Sequence, residues 1–309
     1  MGNACSAKPK VDKPRANPTA ATMPATMPAA SYFADQEGQQ TVIGNIEKNE
    51  DNQFELPVIA KEDISHDTIL LRFGFPNPEW TIGIPVMNHL KIFSKVAEGE
   101  TPLCKPYTPV TPINQKGHID FVIKCYPKCE EFPEGGKMGT FLRTVNVGDS
   151  LKMEGPVGMA TYHGNGKVVH KRKGERQVTK LGLIAGGSGI TPMLSMMTAI
   201  HRAKETGIQV VMIYTNKTRG DVLCKAELDA IANDPNCTNL KIVHTITREE
   251  GDLGAGFKKG RVNMDMLREI GWPEPADDMA VMQCGPKAMH EANKALLLEA
   301  GYTEEMILN

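Results

Sequence analysis

One stretch decides the fold: Gly182-Leu183-Ile184-Ala185-Gly186-Gly187-Ser188-Gly189-Ile190-Thr191-Pro192-Met193-Leu194. A short apolar run, typical of a buried strand, breaks into glycines and then into Thr191-Pro192, the N-cap and first-turn signal of a helix. Small residues let backbone N–H groups approach a ligand, and a helix N-terminus carries partial positive charge. The stretch therefore predicts a strand, a tight turn and a helix start suited to a nucleotide phosphate. It lacks the third glycine of the dinucleotide fingerprint, so a plain strand-to-helix turn stays open as an alternative.

The same rhythm continues along the C-terminal half. From about residue 179, strand-like runs at 180–185, 208–215, 240–246 and 279–284 alternate with helical patterns at 191–203, 221–232, 263–270 and 286–300. Such alternation predicts a parallel sheet with helices on both faces. Ligands bind beyond the carboxyl ends of these strands, where the glycine turn and Cys284-Gly285-Pro286 both fall.

The preceding half has a different pattern. Alternating runs at 68–75, 89–94 and 118–126, with one helical segment at 137–145, predict an antiparallel barrel or sandwich. The 309 residues suit about two domains. We expect a domain at 54–165, a linker at 166–178 and a second domain at 179–309. Residues 1–50 are expected to form a disordered tether rich in Ala, Pro and Thr.

Composition excludes several classes of function. The net charge is -2 without a long basic run, which argues against nucleic acid as a partner. The seven cysteines form no Cys-x-x-Cys pair and no His cluster completes a zinc site, so we expect no metal and a reduced, cytosolic compartment. Two uncharged stretches, 16–34 and 181–200, contain prolines or glycines and do not read as transmembrane helices.

The N-terminus, Met1-Gly2-Asn3-Ala4-Cys5-Ser6, fits the acceptor pattern for N-myristoylation of Gly2, with Cys5 available for palmitoylation. One acyl chain holds a protein to a bilayer only marginally, so a second chain and nearby lysines are needed for stable anchoring. We therefore expect the cytoplasmic face of a membrane in a eukaryotic cell. An ordinary unmodified tail is the alternative.

Seven motifs follow one another over residues 54–309: Ile64-Ser65-His66-Asp67-Thr68, Gly83-Ile84-Pro85-Val86-Met87-Asn88-His89, Pro106-Tyr107-Thr108-Pro109-Val110, Val122-Ile123-Lys124, Gly135-Gly136-Lys137-Met138, the Gly182 to Leu194 stretch, and Cys284-Gly285-Pro286. In this order they resemble the NADH-cytochrome b5 reductases, within the ferredoxin-NADP-reductase-like flavoenzymes. The resemblance implies an α+β two-domain fold: an N-terminal antiparallel β-barrel that binds FAD, then a doubly wound α/β domain that binds NAD(P). It implies hydride transfer from NADH, or also NADPH, to FAD, and single-electron transfer to cytochrome b5 or a similar haem protein.

The resemblance also implies site residues. Lys105 is expected to pair with the FAD pyrophosphate, Tyr107 to pack on the flavin and Thr108 to bond near its N5 atom. Lys124 is expected to help hold the nicotinamide nucleotide, and Cys284 to orient hydride transfer without acting as a nucleophile. Thr108, Lys124 and Cys284 are thus the predicted catalytic residues. The other implied cofactor-binding residues are His89, Pro106, Val122, Phe132, Gly135, Gly136, Lys137, Met138, Gly139, Gly186, Gly187, Gly189, Thr191, Pro192, Asn216, Thr247, Gly285 and Pro286.

Pattern alone leaves plainer interpretations open. Tyr107 is equally a core aromatic, Lys124 an edge-strand surface lysine and Cys284 a buried inert thiol. His89 is equally a satisfied core histidine, and we assign it no proton role.

The chain departs from the family pattern at four places. Lys105 replaces an arginine, Gly139 replaces a serine, and Ile307-Leu308-Asn309 replaces a terminal aromatic, all of which predict weaker FAD binding. Thr247-Arg248 replaces an acidic residue, which predicts weaker discrimination against NADPH. A lipid-anchored nucleotide-binding or scaffold protein without FAD is therefore an alternative, as is a reductase of quinone or another small acceptor.

Overall fold

The computed structural model describes residues 32–33, 39–96, 100–128, 130 and 133–308. Three predicted site residues, Gly2, Cys5 and Phe132, lie outside the described residues. Within these ranges the chain forms two six-stranded sheets and one three-stranded sheet. The first large sheet is antiparallel and the second parallel, which confirms the predicted two-domain fold class.

The antiparallel sheet has the strand order β4-β3-β6-β1-β2-β5. Its strands are β1 (Gln53–Ser65), β2 (Thr68–Gly74), β3 (His89–Phe93), β4 (Cys104–Tyr107), β5 (His118–Lys124) and β6 (Ser150–Val157). The long β1 bends the sheet, because residues 53–57 pair with β6 and the remainder pairs with β2 across a register shift. Alternate β1 residues Phe54, Leu56 and Val58 are buried, so one face of the sheet encloses the core.

A small antiparallel sheet follows, made of β7 (Ala160–Tyr162), β8 (Lys167–His170) and β9 (Gly174–Gln177). It occupies the segment that the sequence analysis assigned to the end of the first domain and the linker. Tyr162 and Val168 of this sheet share an apolar core with Leu181 of the second domain, so the segment packs against that domain.

The parallel sheet has the order β13-β12-β11-β10-β14-β15. Its strands are β10 (Lys180–Gly186), β11 (Gln209–Asn216), β12 (Leu240–Ile246), β13 (Phe257–Lys259), β14 (Met279–Cys284) and β15 (Ile307–Leu308). The chain runs outward from β10 through β11 and β12 and then returns to the other side of β10 with β14. This reversal creates a switch point at the carboxyl ends of β10 and β14, where ligands bind in such sheets.

Helices cover both faces of the parallel sheet. The helices of the described chain are α1 (Val42–Asn45), α2 (Lys137–Thr144), α3 (Ile190–Arg202), α4 (Lys225–Ala232), α5 (Met264–Glu269) and α6 (Lys287–Glu299). Leu183 of β10 packs in the core that contains α3 and α4 residues, whereas its neighbour Ile184 packs in the core with α5 and α6 residues. None of the helices in the described ranges has the length and hydropathy needed to cross a membrane.

Two predicted helix starts are wrong. Helix α3 begins at Ile190 with Gly189 as N-cap, so Thr191 lies inside the first turn, where its hydroxyl donates to the Ser188 carbonyl. Pro192 is tolerated as the third helical residue because first-turn N–H groups have no intrahelical partner. Helix α4 begins at Lys225 rather than at residue 221, because a 3₁₀ turn at Arg219–Asp221 comes first.

The expectation of a disordered tether over residues 1–50 is wrong for the part that is described. Tyr32 is 2% exposed and Val42 is fully buried. Gly164, with φ +88°, leaves space for the Phe33 ring, since a Cβ there would lie 2.7 Å from that ring. The prediction rested on the average composition of the segment. An average does not reveal a few apolar side chains that each pack at a specific site.

Candidate active site

The glycine turn after β10 forms the centre of the predicted nucleotide site. Gly187 has φ +53° and open space around it, so its backbone can face a ligand closely. A Cβ on Gly189 would lie 2.1 Å from the Cys284 carbonyl oxygen. Only glycine at 189 therefore allows the end of β14 to pack on the turn, which brings Cys284-Gly285-Pro286 beside Gly186–Gly189 as predicted. The Tyr214 hydroxyl supports the turn by donating to the Gly187 carbonyl at 3.0 Å.

Three helices that begin at the predicted phosphate sites lack a side-chain cap. These are α2, α3 and α6, with Gly136, Gly189 and Pro286 at their N-caps. By contrast, Thr41 and Asn263 cap α1 and α5 with their side chains, whereas α4, with Cys224 at its N-cap, has no side-chain cap either. First-turn N–H groups without a side-chain acceptor suit an anionic ligand, so these helix starts fit the diphosphates of FAD and NADH.

The predicted flavin segment lies on β4, which pairs with β3 through Leu90 and Tyr107. Lys105 and Pro106 are exposed, Tyr107 packs half-buried against the first core, and Thr108 is buried. Burial raises the pKa of Tyr107, which therefore stays a neutral phenol. The exposed edge of β4 and the partly buried Tyr107 ring leave room for a flavin to stack on that ring.

His89 begins β3, next to the residue that pairs with Tyr107. Burial, together with the positive charges of Lys91 and Lys171, lowers its pKa. The imidazole is therefore neutral near pH 7, which is consistent with giving it no role as a charged acid.

The Gly135 to Gly139 segment packs against the end of β5. Gly135 has φ +64°, and Gly136 lies against Tyr126. A Cβ on Gly139 would lie 2.9 Å from the Cys125 Cα atom, so α2 contacts the β5 backbone through this glycine. Met138 is buried beside it, whereas Lys137 is exposed. Close packing therefore explains the glycine at position 139, where the family pattern has a serine.

The two domains meet at these segments. The Tyr126 hydroxyl lies 3.3 Å from the Ser188 hydroxyl of the glycine turn, and the Tyr126 side chain lies against Gly136 at the start of α2. Val122 of β5 belongs to the same apolar core as Leu194 of α3. The predicted flavin side and nicotinamide side therefore share one seam.

Lys124 is not the surface lysine that its edge strand allows. Its side chain is 11% exposed, and its Nζ atom lies 2.8 Å from both Asp67 Oδ2 and Asp221 Oδ1. Burial alone would lower the pKa of Lys124, but the hydrogen bonds to Asp221 and Asp67 outweigh it and raise the pKa. Sequence reasoning missed both carboxylates, although the Thr218-x-x-Asp221 spacing signals a capping box, which the structure contains.

His66, Asp67 and Asp221 also bring ligand atoms within 4.8 Å of one another. The ammonium of Lys124 already bonds both carboxylates, and its charge opposes a cation at the same point. We therefore interpret this cluster as an ion-pair network rather than a metal centre.

On the nicotinamide side, Cys284 is half-buried at the end of β14, and burial raises the pKa of its thiol. A protonated thiol agrees with an orienting rather than nucleophilic role. The Asn216 side-chain amide is buried near Tyr214, and neither of its polar atoms makes a hydrogen bond of normal geometry. Thr247 donates its hydroxyl to the Asn216 carbonyl at 3.1 Å, which joins the ends of β11 and β12.

An acidic residue that the sequence analysis missed lies close to Thr247. Glu249 accepts hydrogen bonds from the Arg219 backbone at 2.8 Å and its guanidinium at 2.6 Å, which lower its pKa. Its charge is therefore already paired with Arg219.

Comparison with known proteins identifies both halves. Residues 55–162 match the model of an oxidoreductase FAD-binding domain, and residues 183–295 that of an oxidoreductase NAD-binding domain. The chain is 36% identical over 263 residues to human NADH-cytochrome b5 reductase 1, covering 82% of this chain and 84% of that one. It is 35% identical over 260 residues to Xenopus laevis NADH-cytochrome b5 reductase 2, covering 82% and 86%. The cytochrome b5 reductase domain of Ulva prolifera nitrate reductase superposes with a TM-score of 0.76 at 30% identity, covering 85% of this chain and 99% of that one.

Proposed function

The chain belongs to the NADH-cytochrome b5 reductase family, and from this premise we propose that it transfers a hydride from NADH to FAD and then single electrons to cytochrome b5 or a similar haem protein. The names of its relatives support NADH and cytochrome b5 as the reactants. The observation that carries the proposal is the shared seam, where Tyr126 lies against Gly136 at the start of α2 on one side and 3.3 Å from the Ser188 hydroxyl on the other. Hydride transfer requires the two cofactors to meet at such a seam.

Each half of the seam has groups suited to one cofactor. We assign the uncapped first turn of α2 and the exposed Lys105 to the FAD diphosphate, and Tyr107 to its ring system. We assign the uncapped first turns of α3 and α6 to the NADH diphosphate, with the Cys284 thiol at the end of β14 near the nicotinamide. When bound, FAD supplies the capacity to take two electrons as a hydride and release them singly. The protein supplies binding, orientation and exclusion of water.

Purified full-length protein tests this proposal directly. We expect bound flavin whose visible absorbance bleaches when NADH is added anaerobically and returns when oxidised cytochrome b5 is added. A colourless protein that remains inactive with added FAD would contradict the proposal and favour the scaffold alternative. Rapid reoxidation by a quinone but not by cytochrome b5 would instead identify a small-molecule reductase.

The charges beyond β12 favour use of NADPH as well as NADH. Thr247 at the end of β12 carries no charge and Glu249 is paired with Arg219, so an acidic residue that would repel a 2′-phosphate is missing directly after this strand. The measurement is the ratio of kcat/KM values for the two nucleotides. A ratio strongly favouring NADH would refute dual use, and Arg248→Glu should raise that ratio.

The N-terminal acylation motif supports attachment to the cytoplasmic face of a membrane. Gly2→Ala should release the protein to the soluble fraction, whereas Cys5→Ser should weaken attachment and leave myristoylation intact, because one chain binds only marginally. Membrane association that is unchanged in both variants would refute the anchor.

A further inference from the structure

A buried ion-pair network crosses the seam between the domains. Lys124 ends β5 in the FAD-binding domain, Asp67 lies in the turn between β1 and β2 of the same domain, and Asp221 follows β11 in the NAD-binding domain. The Nζ atom lies 2.8 Å from one oxygen of each carboxylate. The exposed fractions are 11% for the lysine side chain, 9% for Asp67 and 16% for Asp221. We call these three residues the Lys124 network.

In each carboxylate, the oxygen that does not bond Lys124 accepts two other hydrogen bonds. Asp221 Oδ2 accepts from the Thr218 backbone at 3.0 Å and from its hydroxyl at 2.7 Å. Asp67 Oδ1 accepts from the Ser65 hydroxyl at 3.1 Å and the Thr68 hydroxyl at 3.0 Å. The Lys124 network is therefore built into local turns on both sides, unlike a pair of mobile surface side chains.

Because the three side chains are at most 16% exposed, water screens their charges only weakly. The network therefore differs from exposed ion pairs, which contribute little to stability. Removing one partner of a buried pair leaves the remaining charge uncompensated. Two neutral polar contacts across the seam are longer, at 3.3 Å for Tyr126 to Ser188 and 3.2 Å for the Met87 N–H to the Ser195 hydroxyl. Among these contacts, the bond from Lys124 to Asp221 is the one with full charges on both atoms.

We propose that Asp221 is a positioning residue: by holding Lys124, it fixes the NAD-binding domain against the FAD-binding domain in the arrangement that hydride transfer needs. Asp67 holds the same ammonium from the opposite side. The proposal rests on the proposed function, because it names the step that the network serves. A displacement of about 1 Å between reacting groups can cost on the order of 100-fold in rate, so a fixed seam has kinetic value.

The test is Asp221→Asn. The single amide oxygen of the asparagine can still accept hydrogen bonds from Thr218. Its NH₂ group then faces the Lys124 ammonium and cannot accept a hydrogen bond from it. We expect the rate of flavin bleaching by NADH to fall at least 10-fold in stopped-flow measurements, with a larger primary isotope effect from deuterated NADH and a nearly unchanged KM. Flavin content should stay at the wild-type level. Asp221→Glu keeps the charge and should restore part of the rate.

Hydrogen exchange gives a readout that needs no turnover. In Asp221→Asn, backbone amides at 64–68 and 217–222 should exchange several-fold faster, because each turn loses its cross-seam partner. The matched control is Asp229→Asn, which removes the charge of an aspartate that pairs with Lys225 within α4. It should change neither the rate nor the exchange at these two turns.

Two results would overturn the proposal. A lower KM for NADH with an unchanged bleaching rate would mean that Asp221 merely competes with the nucleotide for Lys124. Unchanged exchange at both turns would mean that the network does not hold the seam. If wild-type protein lacks flavin or is not bleached by NADH, the proposed function fails separately, and the exchange experiment still tests the network.

Discussion

Gly189→Ala is the substitution whose effect the structure predicts most sharply. A Cβ at this position would lie 2.1 Å from the Cys284 carbonyl oxygen, 2.4 Å from its carbon and 2.8 Å from the Gly285 nitrogen. All three are backbone atoms at the end of β14, so no side-chain rotation can relieve the overlap. To reach ordinary contact at 3.4 Å, the turn and the strand end must part by about 1.3 Å.

That displacement falls on the two backbone segments predicted to hold the nicotinamide nucleotide. A misplacement of about 1 Å can cost about 100-fold in rate. We therefore expect kcat/KM for NADH to fall about 100-fold, and the free energy of unfolding to fall by about 1–3 kcal/mol from overpacking. The assay is NADH oxidation with a one-electron acceptor, together with flavin content, which should fall much less than kcat/KM because the overlap is with Cys284 and Gly285 of the NAD-binding domain.

Gly187→Ala is the matched control. Position 187 is surrounded by open space within the protein, so the methyl group overlaps no protein atom, and the cost in stability is confined to the φ of +53°, about 1 kcal/mol. Gly187→Ala should therefore leave the end of β14 in place, and it should lower the free energy of unfolding less than Gly189→Ala does. If Gly189→Ala has wild-type kcat/KM and stability, the packing of β14 on the glycine turn is not as described.

Three further predictions test other parts of the molecule. Tyr32→Ala removes a ring that is 2% exposed and should lower the free energy of unfolding by about 3 kcal/mol in a denaturant titration; no change would contradict docking of this segment. Gly139→Ser should weaken FAD binding rather than restore a family contact, because its Cβ would lie 2.9 Å from Cys125 Cα; a smaller dissociation constant for FAD would contradict this. Burial raises the pKa of Glu205 above 4.5, so the folded state binds this proton more tightly, and stability from this group falls as pH rises from 4.5 through the raised pKa. Glu205→Gln should remove that decline in unfolding measurements across this pH range, and an unchanged decline would assign it to other groups.

Much of the fold could be predicted because its signals are local. Strands β12 and β14 have the bounds that their apolar runs predicted, 240–246 and 279–284, since a parallel strand covered by helices on both faces is mostly apolar. The start of α3 could not be predicted as well. Thr191-Pro192 is a good local start signal, but the helix begins at Ile190, directly after Gly189. Position 189 must be glycine because it packs against Cys284, which is far away in the chain.

The site shows the same division. The glycine turn, the Cys284-Gly285-Pro286 turn and the order of motifs predicted FAD and NAD binding from the sequence, and the comparisons with known domains support them. The partners of Lys124 were not predictable, because alternation along β5 says which face a lysine occupies but not which carboxylates meet it there. Glu249 was missed for a similar reason: its pairing with Arg219 joins two separate turns.

The sequence by itself determined the two-domain fold class, the alternation of four strands and four helices in the second domain and the positions of the nucleotide-binding turns, because hydrophobic periodicity, glycines and helix starts act over a few residues. Only the tertiary structure decided that Gly139 and Gly189 are packing requirements, that Tyr32 is buried, and that Lys124 joins the two domains through Asp67 and Asp221. These facts depend on distances between segments remote in the chain. Such distances are set by how the sheets and helices pack together.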